Sequence, residues 1–215
     1  MNSNKSFSPE ELGARQKIMD AAIELFARDG LHGVSTRDIA KASGLNLSLI
    51  SYYFGGKEGL YKTAIQEFSG KIFAQIQEVT DEFEQDEVSA KSIQRAIMTL
   101  VNNFIDMRVA NPNMAKIMTR EKLEGLPFCR EIQEHLLTNA GDKMIAIITK
   151  GQKAGVVSKN INPHFFMVYL VEGLLGYFNM FDCKCTWNSK LYSLPQKKEQ
   201  FVKQVSLLFV EGILK

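Results

Sequence analysis

The sequence predicts an all-α protein. Apolar residues recur at three- and four-residue spacing along most of the 215 residues, strand-like alternation is scarce, and the five prolines fall at the starts of periodic runs or in the gaps between them. An apolar content of 45% supports a sizeable core, and no internal repeat is visible. The periodic runs divide the chain into about nine helices. Three form a compact N-terminal head over residues 1–56, and the rest form a helical bundle over 57–215.

Ser8-Pro9-Glu10-Glu11 supplies an N-cap, a proline at the first helical position and a glutamate three residues after the cap, so the first helix starts at Pro9. Its stripe runs through Ile18, Ala22, Leu25 and Phe26, and Asp29-Gly30 ends it with a glycine suited to a left-handed turn. Ser35 and Asp38 repeat the capping pattern for a helix over Thr36 to Ser43 that turns Ile39 inward, and Gly44 makes the next turn. Asn46 caps a third helix, Leu47 to Phe54, which buries Ile50 and Phe54.

Two short capped helices around a glycine turn present the second of them outward, the geometry of a helix-turn-helix that enters a major groove. Its outward set is Leu47, Ser48, Leu49, Ser51, Tyr52 and Tyr53. Serines exchange hydrogen bonds with base edges, leucines meet thymine methyls and tyrosine hydroxyls reach phosphates. This helix carries no lysine or arginine, so phosphate anchoring falls to Thr36, Arg37 and Lys57 beside it. Half-buried packing is the competing reading for Tyr52 and Tyr53, and a solvated pair with Glu58 is the competing reading for Lys57.

On these residues the segment from about Arg15 to Ile65 resembles the DNA-binding domain of the TetR family of bacterial regulators. The likeness rests on the Asp29-Gly30 helix end, Val34 to Ala40, Gly44-Leu45, and Tyr52-Tyr53-Phe54 followed by Lys57-Glu58 and Leu60. It implies that Thr36, Leu47, Ser48, Leu49, Tyr52, Tyr53 and Lys57 touch double-stranded DNA. Many relatives carry a basic or small residue at the positions of Leu47 and Ser48 and a tyrosine at Ser51, so no relative's base preference transfers. The run from Tyr52 to Tyr61, with Thr119-Arg120-Glu121 later, is similar to a CecR-like subgroup and brings no ligand with it.

The fourth helix is predicted from Lys57 through Val79, about twenty residues and roughly 30 Å. The acidic stretch Asp81 to Glu87 reads as a solvated loop. Further helices are predicted over Ala90 to Val109, Asn113 to Glu124, Pro127 to Ala154 and Pro163 to Phe181, with a last one after Pro195. The helix from Pro163 is apolar nearly all round and approaches membrane-spanning length, but Glu172 near its centre opposes a hydrocarbon environment. Gly173 and Gly176 give it a flat face for a second helix. A homodimer seam follows, built from Tyr169, Glu172, Gly173, Gly176, Tyr177, Phe201, Val205 and Leu208; burial within one monomer is the alternative.

The family resemblance implies a small-molecule effector site between the fifth and eighth helices. Candidates are Met98, Phe104, Met107, Met118, Met144 and Tyr169, with Arg120 facing an acidic group unless it pairs with Glu124 on the surface. Nine methionines suit an adaptable cavity and equally suit an ordinary core.

A net charge of +2 decides nothing, since the first 75 residues hold nine Lys or Arg against eight Asp or Glu. Cys129, Cys183 and Cys185 form neither a disulfide framework nor a paired zinc motif. His32, His135 and His164 are scattered, no phosphate loop or nucleophile elbow is present, and no cofactor or catalytic group is expected. The start of the chain lacks the pattern of a secretory signal, which places the expected protein in the cytoplasm, off the membrane. The function expected is a ligand-responsive, sequence-specific DNA-binding regulator, most simply a repressor; a helical module whose head binds a protein is the alternative.

Overall fold

The computed structural model describes residues 8–182 and 198–214. The described chain is helical: α1 (Pro9–Asp29), α2 (Thr36–Ser43), α3 (Ser48–Phe54), α4 (Lys57–Gln85), α5 (Ala90–Ala110), α6 (Pro112–Leu123), α7 (Arg130–Lys153), α8 (Pro163–Asp182) and α9 (Lys198–Val205), which runs into a π-helical segment, Ser206–Glu211. The all-α class read from the periodicity is the class observed. Two compact units result. The first takes the chain up to Gly70 together with Asn111–Glu134, and the second takes Lys71–Ala110 together with the chain from His135 on. By packing, the first unit extends past residue 56 and gathers the start of α4 and all of α6.

In the first unit, both expected capping boxes form. Ser8 Oγ accepts from the Glu11 amide at 3.3 Å while the Ser8 amide donates to Glu11 Oε2 at 2.8 Å. Ser35 and Asp38 do the same at 3.1 and 2.9 Å. Each box satisfies end amides that the helix ladder leaves unpaired, worth about 1 kcal/mol per cap. Ile18, Phe26, Ile39, Ile50, Leu60 and Ile65 are fully buried and tie α1 to α4 into one core. Helix α6 packs on α1 and adds Met114 and Ile117.

The turn after α1 differs from expectation. Gly30 adopts φ 74°, ψ 170°, outside the left-handed helical region and in one open essentially to glycine alone. The Arg120 guanidinium lies 2.8 Å from where a Cβ would stand, with its Nη1 donating to Phe26 O at 2.9 Å.

The second unit buries one continuous cluster, from Val79 and Phe83 of α4 through Ile97 and Val101 of α5 and Ile147 of α7 to Leu170 of α8 and Val210. It also overturns the loop expected at Asp81 to Glu87. Helix α4 continues through Gln85 because Phe83, 3% exposed, extends the buried stripe one turn past Val79. The neighbouring acids are used instead as partners, Asp81 for Lys143 and Glu84 for Lys150. Helix α7 begins at Arg130, later than expected, because Gly125 and Leu126 both take positive φ and hold a turn.

Candidate nucleic-acid interface and bundle sites

Helix α2 ends at Gly44, left-handed at φ 69°, ψ 17°. Four residues later the chain enters α3, where Asn46 Oδ1 accepts from the Ser48 amide at 3.0 Å and from its hydroxyl at 2.9 Å. The cap is thus supplied by Asn46 although the helix proper starts at Ser48, one residue inside the expected start. Ile50 and Phe54 are the inward anchors, as the spacing requires. Leu47, Ser48, Ser51 and Tyr52 face solvent, Tyr52 with 51% of its surface exposed, while Leu49 and Tyr53 are half-buried. The two tyrosine rings meet edge-on at 5.0 Å. Packing therefore claims part of Tyr53 and leaves Tyr52 outward. Burial, with the Glu11 charge adding to it, raises the Tyr53 hydroxyl above its ordinary pKa.

The exit from α3 is fixed by glycine. A Cβ on Gly59 would lie 1.8 Å from Phe54 O, so only glycine lets the first turn of α4 close against the end of α3.

Thr36 opens α2 half-buried, and Arg37 beside it is exposed. Lys57 has a task that the sequence did not announce. Its Nζ donates to Leu31 O at 2.8 Å and Val34 O at 2.7 Å, cross-linking the α1–α2 turn to the start of α4 and leaving a third N–H for other use.

The effector candidates do not fall in one unit. Met98, Phe104 and Met144 pack against the core of the second unit, where Met107 is half-buried as well. Met118 and Arg120 sit on α6 in the first unit, where Arg120 Nη1 donates to the Phe26 carbonyl at 2.9 Å. Tyr169 is 66% exposed on the outer face of α8 beside Phe165 and Val168, so it belongs with the surface set and not with a cavity lining.

On that outer face Glu172, Gly173 and Gly176 are exposed too, and Leu208 is 71% exposed. Tyr177 stacks on Phe201 at 4.0 Å. Val205, 5% exposed, is a core residue of its own unit, which corrects its place in the seam.

Two buried ionisable residues escaped the sequence reading. Arg108 is 9% exposed, its guanidinium 5.4 Å from the Phe178 ring centre. It lies in register with Ile97, Val101 and Ile105, the signal that could have found it. Glu121 is 1% exposed. It takes the Tyr61 hydroxyl on Oε1 at 3.0 Å and the Phe128 and Cys129 amides on Oε2 at 3.1 and 3.2 Å. Its register with Met114 and Ile117 marks it as inward-facing. Burial and then the Glu121 charge push the Cys129 thiol up to about 12, leaving it inert. Cys183 and Cys185, and the side chain of His135, lie outside the described residues.

Among the described residues no helix is long and apolar enough to cross a membrane, and no group of three His, Cys, Asp or Glu side chains is placed to hold a metal ion.

Residues 18–64 match the family described as bacterial regulatory proteins, tetR family. The chain is 28% identical over 157 residues to the probable HTH-type transcriptional regulator YttP of Bacillus subtilis, covering 73% of each. It is 28% identical over 131 residues to the HTH-type transcriptional dual regulator CecR of Shigella flexneri, covering 58% of each. Among solved structures it is similar in fold to the fatty acid degradation regulator FadR from Bacillus halodurans, with a TM-score of 0.69 at 21% identity over 97% of this chain and 98% of that one.

Proposed function

We propose, from the premise that this chain is a TetR-family helix-turn-helix regulator that binds DNA, that it acts as a homodimeric repressor released from a pseudo-palindromic operator by a small-molecule effector. The observation that supports this most directly is α3, held by Ile50 and Phe54 with Ser48, Ser51 and Tyr52 outward. Residues 1–56 read the operator, through Ser48 and Leu49 at base edges and Thr36, Arg37, Tyr52 and Tyr53 at phosphates, with Leu47 at the rim and Lys57 fixing the turn behind them. Residues 57–215 dimerise along the exposed face of α8 and bind the effector among Met98, Phe104, Met107 and Met144. The protein works in the cytoplasm, without catalysis.

Two reading helices in successive major grooves stand about 34–36 Å apart. An effector that favours another arrangement of the pair by roughly 1–3 kcal/mol weakens operator binding about 5- to 150-fold. Footprinting on DNA upstream of the protein's own gene, with and without fractionated cell extract, tests the proposal. The expected result is two protected half-sites about one helical turn apart that an extract fraction releases. A head that bound protein instead would show no sequence-specific protection, and no log-linear loss of DNA affinity with salt.

A further inference from the structure

The reading face of α3 has an acidic neighbour that belongs to α1. Tyr52 is half exposed at the centre of that face, and its hydroxyl donates to Glu11 Oε1 at 3.4 Å. The other carboxylate oxygen of Glu11 accepts the Ser8 amide at 2.8 Å in the α1 capping box, which fixes where the charge stands. The same carboxylate acts on Tyr53, whose hydroxyl it helps to keep protonated. Arg15, one turn along α1, forms an ion pair with Glu67.

A tyrosine hydroxyl has one proton to donate. While that proton points at a carboxylate it cannot point at a phosphate, and a carboxylate beside an approaching phosphate backbone repels it. We propose that Glu11 holds the DNA-reading face below its full affinity: it competes with phosphate for the Tyr52 hydroxyl proton and places a negative charge beside the approaching backbone, thereby setting the strength and salt dependence of binding. This rests on the outward face of α3 being the surface that meets DNA. Glu11 acts here as a brake that keeps non-specific binding low on a helix carrying no cation of its own, and it leaves base preference to Ser48 and Leu49.

Glu11→Gln tests the charge alone, because glutamine serves the third helical position of a capping box as glutamate does. One charge about 7 Å from a phosphate in water corresponds to a factor of about three, and two heads on one operator multiply this to about tenfold. The measurement is fluorescence anisotropy of the full-length protein on its footprinted operator and on a scrambled duplex, between about 50 and 200 mM salt. The expected result for Glu11→Gln is tighter binding to both duplexes at low salt, a gain that shrinks as salt rises, and a smaller gain when Tyr52→Phe is also present. Glu10→Gln, on the exposed side of the same turn, should give less.

Glu11→Gln with unchanged or weakened affinity, or with the same gain as Glu10→Gln, overturns the proposal. Melting curves of each variant separate these outcomes from a damaged helix start, and Tyr52→Phe alone removes the contact without touching the cap. Leu49→Ala distinguishes the two levels of the argument. If it shifts sequence preference while Glu11→Gln does nothing, the brake alone fails; if Leu49→Ala and Ser48→Ala both leave binding unchanged, the reading face is elsewhere and both fail.

Discussion

At the scale of single residues, the first unit is organised by carboxylates that accept hydrogen bonds from neutral donors. Glu121 is buried with a tyrosine hydroxyl and two amides on its oxygens, and so bonds α6 and the α6–α7 turn to α4 within one side chain. Removing one donor from a buried acceptor costs more than the bond was worth, because the acceptor stays dry. Tyr61→Phe is therefore expected to destabilise the protein by about 1–3 kcal/mol in urea unfolding. Glu121→Ala should cost more, since the tyrosine hydroxyl and both backbone amides then lose their acceptor; a variant as stable as the parent would show that the network is dispensable. Asp38 works at the surface by the same logic. The Ser35 hydroxyl and amide hold its carboxyl below the ordinary range. A lowered folded pKa gives stability that is present above the unfolded value of about 3.9 and is lost as pH falls through the folded one. Acid titration of the helical signal should show this loss below about pH 4, and Asp38→Asn should flatten that limb.

At the scale of elements, most of the helices were legible from caps and periodicity. Pro9 to Asp29 and Thr36 to Ser43 start and stop where Ser8, Ser35 and Gly44 say they should, because these ends are set by bonds between residues three or four apart. What was not legible depends on distant partners. The conformation of Gly30 is shaped by Arg120, and the last turns of α4 form because Phe83 has a core to enter, neither of which local sequence contains. Asp81 to Glu87 looked like a loop by composition, although Phe83 keeps the helical stripe. The two readings differ sharply in energy. Phe83→Ala on a solvated loop would change little, whereas in the second unit's core it should cost about 3–5 kcal/mol. Thermal melts of that variant settle which one governs. The outward face of α3 was legible for a simple reason: Ile50 and Phe54, four apart on so short a helix, leave little choice about which residues point away. Arg108 and Glu121 were missed, and the carbonyl contacts of Lys57 not foreseen, because polar side chains announce themselves as surface unless register is weighed against type.

At the scale of the whole molecule, the chain passes between its two units at Gly70, Ala110 and Glu134, and α6 packs on α1 within the first. The two-fold contact proposed above lies on the exposed apolar face of α8 around Phe165, Val168 and Tyr169. Gly176 makes that test clean. Among the described residues a Cβ there would meet nothing within 4 Å, so a side chain leaves Gly176 without a clash with them at its first carbon. As a replacement of a mid-helix glycine, Gly176→Leu should stabilise α8 by about 0.5–1 kcal/mol. In a seam where two helices approach closely, the same leucine has no room. Sedimentation should then show a dimer dissociation constant raised at least about tenfold, roughly 1.4 kcal/mol, and operator affinity falling with it while each chain melts no earlier in the dilute limit. A Gly176→Leu protein that remains as tightly dimeric as the parent would place the two-fold contact elsewhere, and the spacing of the reading helices would have to be set by another surface.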